Sequence, residues 1–104
     1  MTLELFLVCG QVAEHFNLTL TAPVGYVFGA VTFASFGAPT GSCGSFSINP
    51  ACNFQNSTAV VKSLCVGKTT CTILAENKVF GQDPCRGTVK TLATQLQATA
   101  ITVG

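Results

Sequence analysis

Six cysteines in a chain of 104 residues constrain this fold more than any other feature. They stand at positions 9, 43, 52, 65, 71 and 85. No two of them have the C-x-x-C spacing typical of a zinc site, and the chain has a single histidine, so we predict no metal site and no cofactor. An even number of scattered cysteines in a small domain indicates three disulfides instead. Six cysteines allow fifteen pairings, and their number alone does not choose among them.

A disulfide framework also predicts where the protein works. Because disulfides persist in oxidising compartments, we expect a secreted or lumenal protein. Two glycosylation sequons, Asn17-Leu18-Thr19 and Asn56-Ser57-Thr58, agree with this expectation. Met1 begins a chain that otherwise looks secreted, so we interpret residues 1–104 as a single domain excised from a larger secreted protein. The apolar start, LELFLV, is too short to cross a bilayer, and we expect no membrane partner.

The composition favours β-structure. Only 9% of the residues are charged, far below the roughly 25% usual in soluble proteins, while threonine alone occurs 14 times. We predict one helix at 57–65, where apolar residues recur at helical spacing between a capping Asn56 or Ser57 and Gly67. We also predict strands near 3–9, 16–21, 26–36, 70–75 and 89–97. The fold class is therefore a β-rich α+β domain.

The polar inventory excludes most enzyme chemistry and nucleic-acid binding. A glycosidase needs two facing carboxylates, but the four acids lie on different predicted elements. The lone His15 has no nucleophile elbow near it, and we expect a surface or half-buried imidazole. Five scattered basic residues and a net charge of +1 do not suit nucleic acid. We predict no catalytic residues, which leaves a binding or structural module.

Three stretches of the sequence resemble a known family. They are FASFGAPTGSCGSF, LCVGKTTC and VFGQDPCRGTVKTL. Together they resemble the galactose-binding-lectin-like domain of sea-urchin egg lectins and rhamnose-binding lectins, in the form found at the C-terminus of plant β-galactosidases. The resemblance covers about residues 9–98. It implies a compact sandwich of two antiparallel sheets with a short helix, stapled by disulfides and acting as a carbohydrate-recognition module.

The same resemblance implies a particular disulfide pairing. Members of the family have eight cysteines, and this chain has Ala22 and Ala98 where the second and eighth would stand. Both partners of one bridge are missing together, so no thiol is left unpaired. The remaining pairs are then Cys9 with Cys43, Cys52 with Cys85, and Cys65 with Cys71. We further expect Ala22 and Ala98 to face each other.

The resemblance also implies a sugar site, with some members missing. Four residues match positions that line the sugar pocket in the family: Asn77, Asp83, Gly87 and Lys90. The family's Y-G-R motif is replaced by the sequence from Phe36 to Ala38, and the acid that often follows the first cysteine is Gly10. These changes remove a phenolic hydroxyl, an arginine and a carboxylate. We expect Phe36 to belong to the core.

Two functions follow as hypotheses. The first is a non-catalytic lectin-like module, the C-terminal domain of a β-galactosidase, that binds galactose- or rhamnose-type glycans weakly and holds the parent catalytic domain near its polysaccharide. The alternative is a structural appendage that packs on the parent enzyme or helps it fold and binds no sugar.

Overall fold

The structure, a computed structural model, describes residues 5–81 and 83–101 and contains five strands and two helices over those ranges. The strands are β1 (Leu5–Ala13), β2 (Asn17–Thr21), β3 (Tyr26–Gly37), β4 (Thr70–Leu74) and β5 (Thr91–Ala100). The helices are α1 (Ser57–Cys65) and α2 (Asn77–Phe80). In the part of the chain that is described, no helix is both long and apolar enough to span a membrane.

The strands form two antiparallel sheets. A three-stranded sheet has the order β1-β5-β3, so that β5 is the central strand, and a two-stranded sheet pairs β2 with β4. The pairing of β1 with β5 runs from Leu5 opposite Thr99 to Ala13 opposite Thr91. Strand β1 is therefore longer than the predicted 3–9, whose first two residues lie outside the described ranges, because residues 10–13 also pair with β5. Strand β5 spans 91–100 and not the predicted 89–97.

The core lies between the two sheets and α1. Alternation along β2 and β4 directs Leu18, Leu20 and Ile73 inward and leaves the threonines of both strands exposed. Strand β5 contributes Leu92 and Leu96 from the opposite side. Helix α1 begins and ends where its sequence predicts, and its buried apolar stripe packs on β3 and β4.

A short segment before α1 packs against the end of β3. Gly37 pairs with Asn53, and the backbone N–H of Phe54 donates to the carbonyl of Phe36 at 3.0 Å. A Cβ at Gly37 would overlap the backbone carbonyl of Cys52. The glycine of the FASFG stretch is therefore required by this close approach of two backbones. Phe36 itself is fully buried in the core, as expected.

Three disulfides tie the loops to this sandwich. They join Cys9 to Cys43, Cys52 to Cys85 and Cys65 to Cys71, with Cα–Cα distances of 5.7, 5.3 and 5.1 Å. These are the pairs that the family resemblance implies. The long loop between β3 and α1 is thus fixed at both Cys43 and Cys52, which explains how about twenty residues rich in glycine, proline and serine can stay ordered.

The two alanines at the positions of the absent bridge are both in the core. Ala22 is 6% exposed and Ala98 is fully buried, and both belong to one apolar cluster. Ala98 pairs with Phe28 across β3 and β5. Burial of both methyl groups fits an apolar contact in place of a bridge, and their direct opposition stays a prediction.

Candidate functional site

The candidate site begins where β1 ends and β5 starts. The antiparallel pairing continues one step beyond Ala13 and Thr91, because the backbone N–H of Glu14 donates to the carbonyl of Lys90 at 2.8 Å. The N–H of Lys90 in turn donates to Oε1 of Glu14 at 3.0 Å. Both side chains are buried, and Lys90 Nζ lies 3.6 Å from Glu14 Oε1. The sheet register thus places an acid and a lysine side by side although 76 residues separate them.

Asp83 completes this group from the loop that follows α2. Its Oδ1 lies 2.8 Å from Lys90 Nζ and also accepts the backbone N–H of Cys85 at 3.0 Å. The bridge from Cys85 to Cys52 fixes the loop, and Gly87 takes a left-handed φ of 78° that a side chain would oppose. The disulfide and the glycine therefore hold the loop in a conformation in which the Asp83 carboxylate contacts the Lys90 ammonium. We call Glu14, Asp83 and Lys90 the acid–lysine cluster.

Charge pairing shapes the protonation of the acid–lysine cluster. The hydrogen bond from Lys90 holds the pKa of Asp83 below its ordinary value of 3.8, with the Cys85 N–H and the charge of Arg86 acting in the same direction and desolvation opposing them. The hydrogen bond to Asp83 raises the pKa of Lys90 above 10.5, against desolvation. The formal charges of the acid–lysine cluster, from two carboxylates and one ammonium, sum to one negative charge.

His15 links the acid–lysine cluster to a second group of charged side chains on α2 and just before it. The His15 side chain is 71% exposed. Its Nε2 lies 3.9 Å from Glu14 Oε2, and its Nδ1 lies 3.4 Å from Glu76 Oε1. Lys78 Nζ approaches Glu76 Oε2 at 3.4 Å. Desolvation acts to raise the pKa of Glu76, but the hydrogen bonds from His15 and Lys78 outweigh it and hold that pKa below its usual 4.5. His15 is thus a surface imidazole, as predicted.

Asn77 is the first residue of α2, directly after Glu76. Its Oδ1 is buried and has no hydrogen-bond partner among the described residues. The helix is held to the core by Phe80, whose ring stacks on Phe36 at a centroid distance of 4.5 Å and meets Phe54 edge-on at 5.9 Å. A buried acceptor on a firmly packed helix is costly unless something donates to it.

The structure thus brings some of the predicted site residues together. Asp83 and Lys90 are in direct contact, whereas Asn77 and Gly87 lie on α2 and in the loop between Cys85 and Lys90. Lys90 precedes β5 and is 3% exposed, so it is neither in the strand nor solvated. Glu14 was missed, because nothing in the sequence pairs it with a lysine so far along the chain.

The chemistry of these groups is that of hydrogen bonding. Carboxylate oxygens accept from hydroxyl groups, an ammonium donates, and an amide does both. Over residues 5–81 and 83–101 we find no pocket and no group of three or more side chains suited to holding a metal ion.

Comparison with known proteins assigns the chain to a family. Residues 20–98 match the D-galactoside/L-rhamnose binding SUEL lectin domain. The D-galactoside-specific lectin of the sea urchin Heliocidaris crassispina is 43% identical over 80% of this chain and 82% of its own length. Beta-galactosidase 8 of Arabidopsis thaliana is 42% identical over 75% of this chain, and Beta-galactosidase 3 of rice (Oryza sativa subsp. japonica) is 38% identical over 74%. The chain spans only 9% of the length of either enzyme. It therefore belongs to the SUEL lectin domain family, by sequence, β-rich fold and disulfide framework alike.

Proposed function

We propose that this chain is a carbohydrate-binding module whose site is the acid–lysine cluster, flanked by Asn77 and Gly87. The domain is a lectin domain and not a catalytic one. The observation that carries the proposal is the side chain of Lys90, which is only 4% exposed and is held 2.8 Å from Asp83 and 3.6 Å from Glu14. A buried lysine is uncommon unless it is paired with an acid. The pairing here fixes the positions of all three side chains, which prepares them to bind a ligand.

The charges of the acid–lysine cluster favour a neutral sugar. Two carboxylates can each accept from one hydroxyl, and the ammonium can donate to a hydroxyl oxygen beside them. Adjacent hydroxyls on one ring meet this arrangement, as galactose and rhamnose both present them. A uronic acid would bring a third carboxylate to a cluster that already has one net negative charge. We therefore expect galactose- or rhamnose-type glycans to bind and their acidic analogues to bind less well.

Affinity for a single sugar is expected to be weak. The family's tyrosine hydroxyl and arginine are absent at Phe36 and Ala38, so few directed hydrogen bonds remain. Each hydrogen bond contributes modestly because the sugar gives up water to form it. A dissociation constant near or above about 1 mM follows. Firm attachment would come from long polysaccharides or from several sites acting together.

Chemical-shift titration tests this function. Galactose, rhamnose and galactan oligosaccharides are added to labelled protein, and shifts are expected at residues 14, 77, 83, 87 and 90. Asp83→Asn and Lys90→Ala should abolish these shifts in variants that remain folded. Lys78→Ala is the matched control, because Lys78 pairs with an acid but its side chain is 75% exposed. Shifts that map to another surface would refute the proposed site.

We further propose that the module belongs to a larger secreted enzyme of the β-galactosidase type. The support is the similarity to two plant β-galactosidases, in which the matched part is a small fraction of the length. Three disulfides support an extracellular or cell-wall location. The catalytic domain of that parent protein would be the module's covalent partner.

A structural appendage is the second candidate, and one surface favours it. Strand β1 forms an edge of its sheet and exposes Leu5, Phe6 and Leu7 by 49%, 45% and 50%. Three consecutive exposed apolar residues on an edge strand suit packing against another protein surface. Absence of chemical shifts with every sugar, including the oligosaccharides, would favour this second function.

A further inference from the structure

The outer face of the β2–β4 sheet carries a glycosylation sequon, Asn17-Leu18-Thr19. Leu18 is 6% exposed and lies in the core, so alternation along the strand turns Asn17 and Thr19 outward together. Phe16, the preceding residue, is 64% exposed. We propose that Asn17 carries an N-linked glycan. The proposal rests on the secretory location inferred above and not on sugar binding by the acid–lysine cluster.

The exposed face can hold a glycan without displacing any packed residue. Asn17 is exposed at the start of β2, opposite Leu74 at the end of β4. A glycan on its side-chain nitrogen would project into solvent from this face.

The folded strand also fixes when the modification must occur. In the folded protein Thr19 Oγ1 lies 2.9 Å from Thr72 Oγ1, and the backbone of β2 is paired along its length with β4. A sequon held in this way is not free to enter a transferase. Thr72 follows Thr19 by 53 residues, so the partner strand is still missing when the sequon is first synthesised. At about 5–20 residues per second this leaves roughly 3 to 11 s for modification.

The second sequon does not wait for a distant strand before it folds. Asn56 precedes α1, and its carbonyl accepts the N–H of Val60 at 3.1 Å, while the N–H of Ser57 donates to Phe54 at 3.1 Å. These contacts span only three or four residues and can form as soon as the segment is made. Asn56 therefore serves as the comparison site.

The transfer is chemically simple. The side-chain nitrogen of Asn17 forms a bond to C1 of the first sugar of an oligosaccharide carried on a polyprenyl diphosphate. The bond from C1 to the diphosphate oxygen breaks, and the polyprenyl diphosphate leaves with the electron pair. The amide nitrogen loses one proton, which passes to solvent. No oxidant or reductant is required.

Expression with a leader peptide in a eukaryotic secretory host tests the proposal. Glycosidase release in heavy-oxygen water converts a glycosylated asparagine to labelled aspartate, and peptide mapping of secreted and retained protein reads residue 17 directly. We expect label at residue 17 in the wild type, in Asn56→Gln and in Thr19→Ser. We expect none in Thr19→Val, which keeps Asn17 but removes the hydroxyl, and in Asn17→Gln the intact mass should fall by one oligosaccharide.

An unlabelled residue 17 in the wild type would overturn the proposal. Because the leader peptide delivers the chain to the secretory pathway, that result would not bear on sugar binding. Sugar binding is measured separately on oxidised, unglycosylated protein, so the two ideas can fail independently.

Discussion

Replacing Phe80 by alanine should cost much of the stability of the chain and loosen the candidate site together with it. Phe80 is 3% exposed and contacts two other rings, stacking on Phe36 at 4.5 Å and meeting Phe54 edge-on at 5.9 Å. Replacing a buried phenylalanine by alanine lowers the free energy of unfolding by about 3 to 5 kcal/mol. Two ring pairs, each contributing about 0.5 to 1.5 kcal/mol, place the expected loss near 4 kcal/mol.

This loss is a large part of the free energy of unfolding of the whole domain. A domain of 104 residues is stable by about 5 to 15 kcal/mol, so the variant should melt roughly 15 to 30 °C lower. Thermal and urea unfolding of the oxidised protein measure this directly. Phe80→Leu keeps most of the apolar volume and should lose about 1.5 kcal/mol. Phe16→Ala is the exposed control and should stay within about 0.5 kcal/mol.

The site provides the second readout. Phe80 lies at the end of α2, three residues before Asp83, whereas the Cys85–Cys52 bridge holds the loop on the other side. Well below its melting temperature, Phe80→Ala should therefore bind sugar more weakly than wild type, while Phe16→Ala should not. A loss of stability below about 1 kcal/mol would refute the idea that the aromatic contacts hold α2 in place.

Four further predictions concern other parts of the chain. Thr94→Val should be neutral or stabilising by up to about 1 kcal/mol in urea unfolding, because Thr94 Oγ1 is buried with no hydrogen-bond partner among the described residues; a clear loss of stability would show that the hydroxyl is satisfied. Sugar binding should depend on pH through the paired charges of Asp83 and Lys90. It should fall as pH drops through the lowered pKa of Asp83, below 3.8, and as pH rises through the raised pKa of Lys90, above 10.5, and a midpoint near neutral pH would contradict this assignment. Ala22→Cys with Ala98→Cys should form a fourth disulfide, detected by mass spectrometry, whereas two free thiols in the folded double variant would show that the alanines do not face each other. A thiol reagent should find no free thiol in unfolded, unreduced wild-type protein, and even one per chain would contradict the disulfide framework.

The fold was predictable where one local signal dominated. Strand β3 and helix α1 were placed to within one residue, because an aromatic and β-branched run and a helical stripe each leave little choice. The extra length of β1 could not be predicted, since residues 10–13 are extended only because β5 pairs with them. Helix α2 has four residues and depends on Phe80 reaching the core. Such elements are set by tertiary contacts.

The candidate site was predictable only in part, for a related reason. Resemblance in the loop around Cys85 indicated Asp83, Gly87 and Lys90, which are close in sequence. Glu14 joins them through the register of β1 on β5, which no local pattern encodes. The burial of Lys90 follows from the same pairing, since an isolated lysine before a strand is normally solvated.

The register of β1 on β5 also determines where the acid–lysine cluster lies relative to a domain joined to this one. Leu5 and Thr99 pair at one end of the sheet, whereas Ala13 and Thr91 pair at the other, about 26 Å away, next to the acid–lysine cluster. A tag or a neighbouring domain attached beside Leu5 or after Ala100 would therefore stand at the far end from the cluster. Copies joined in tandem would have neighbouring attachment points and could present their sites in a common direction. Several weak sites need this geometry to bind one polysaccharide together.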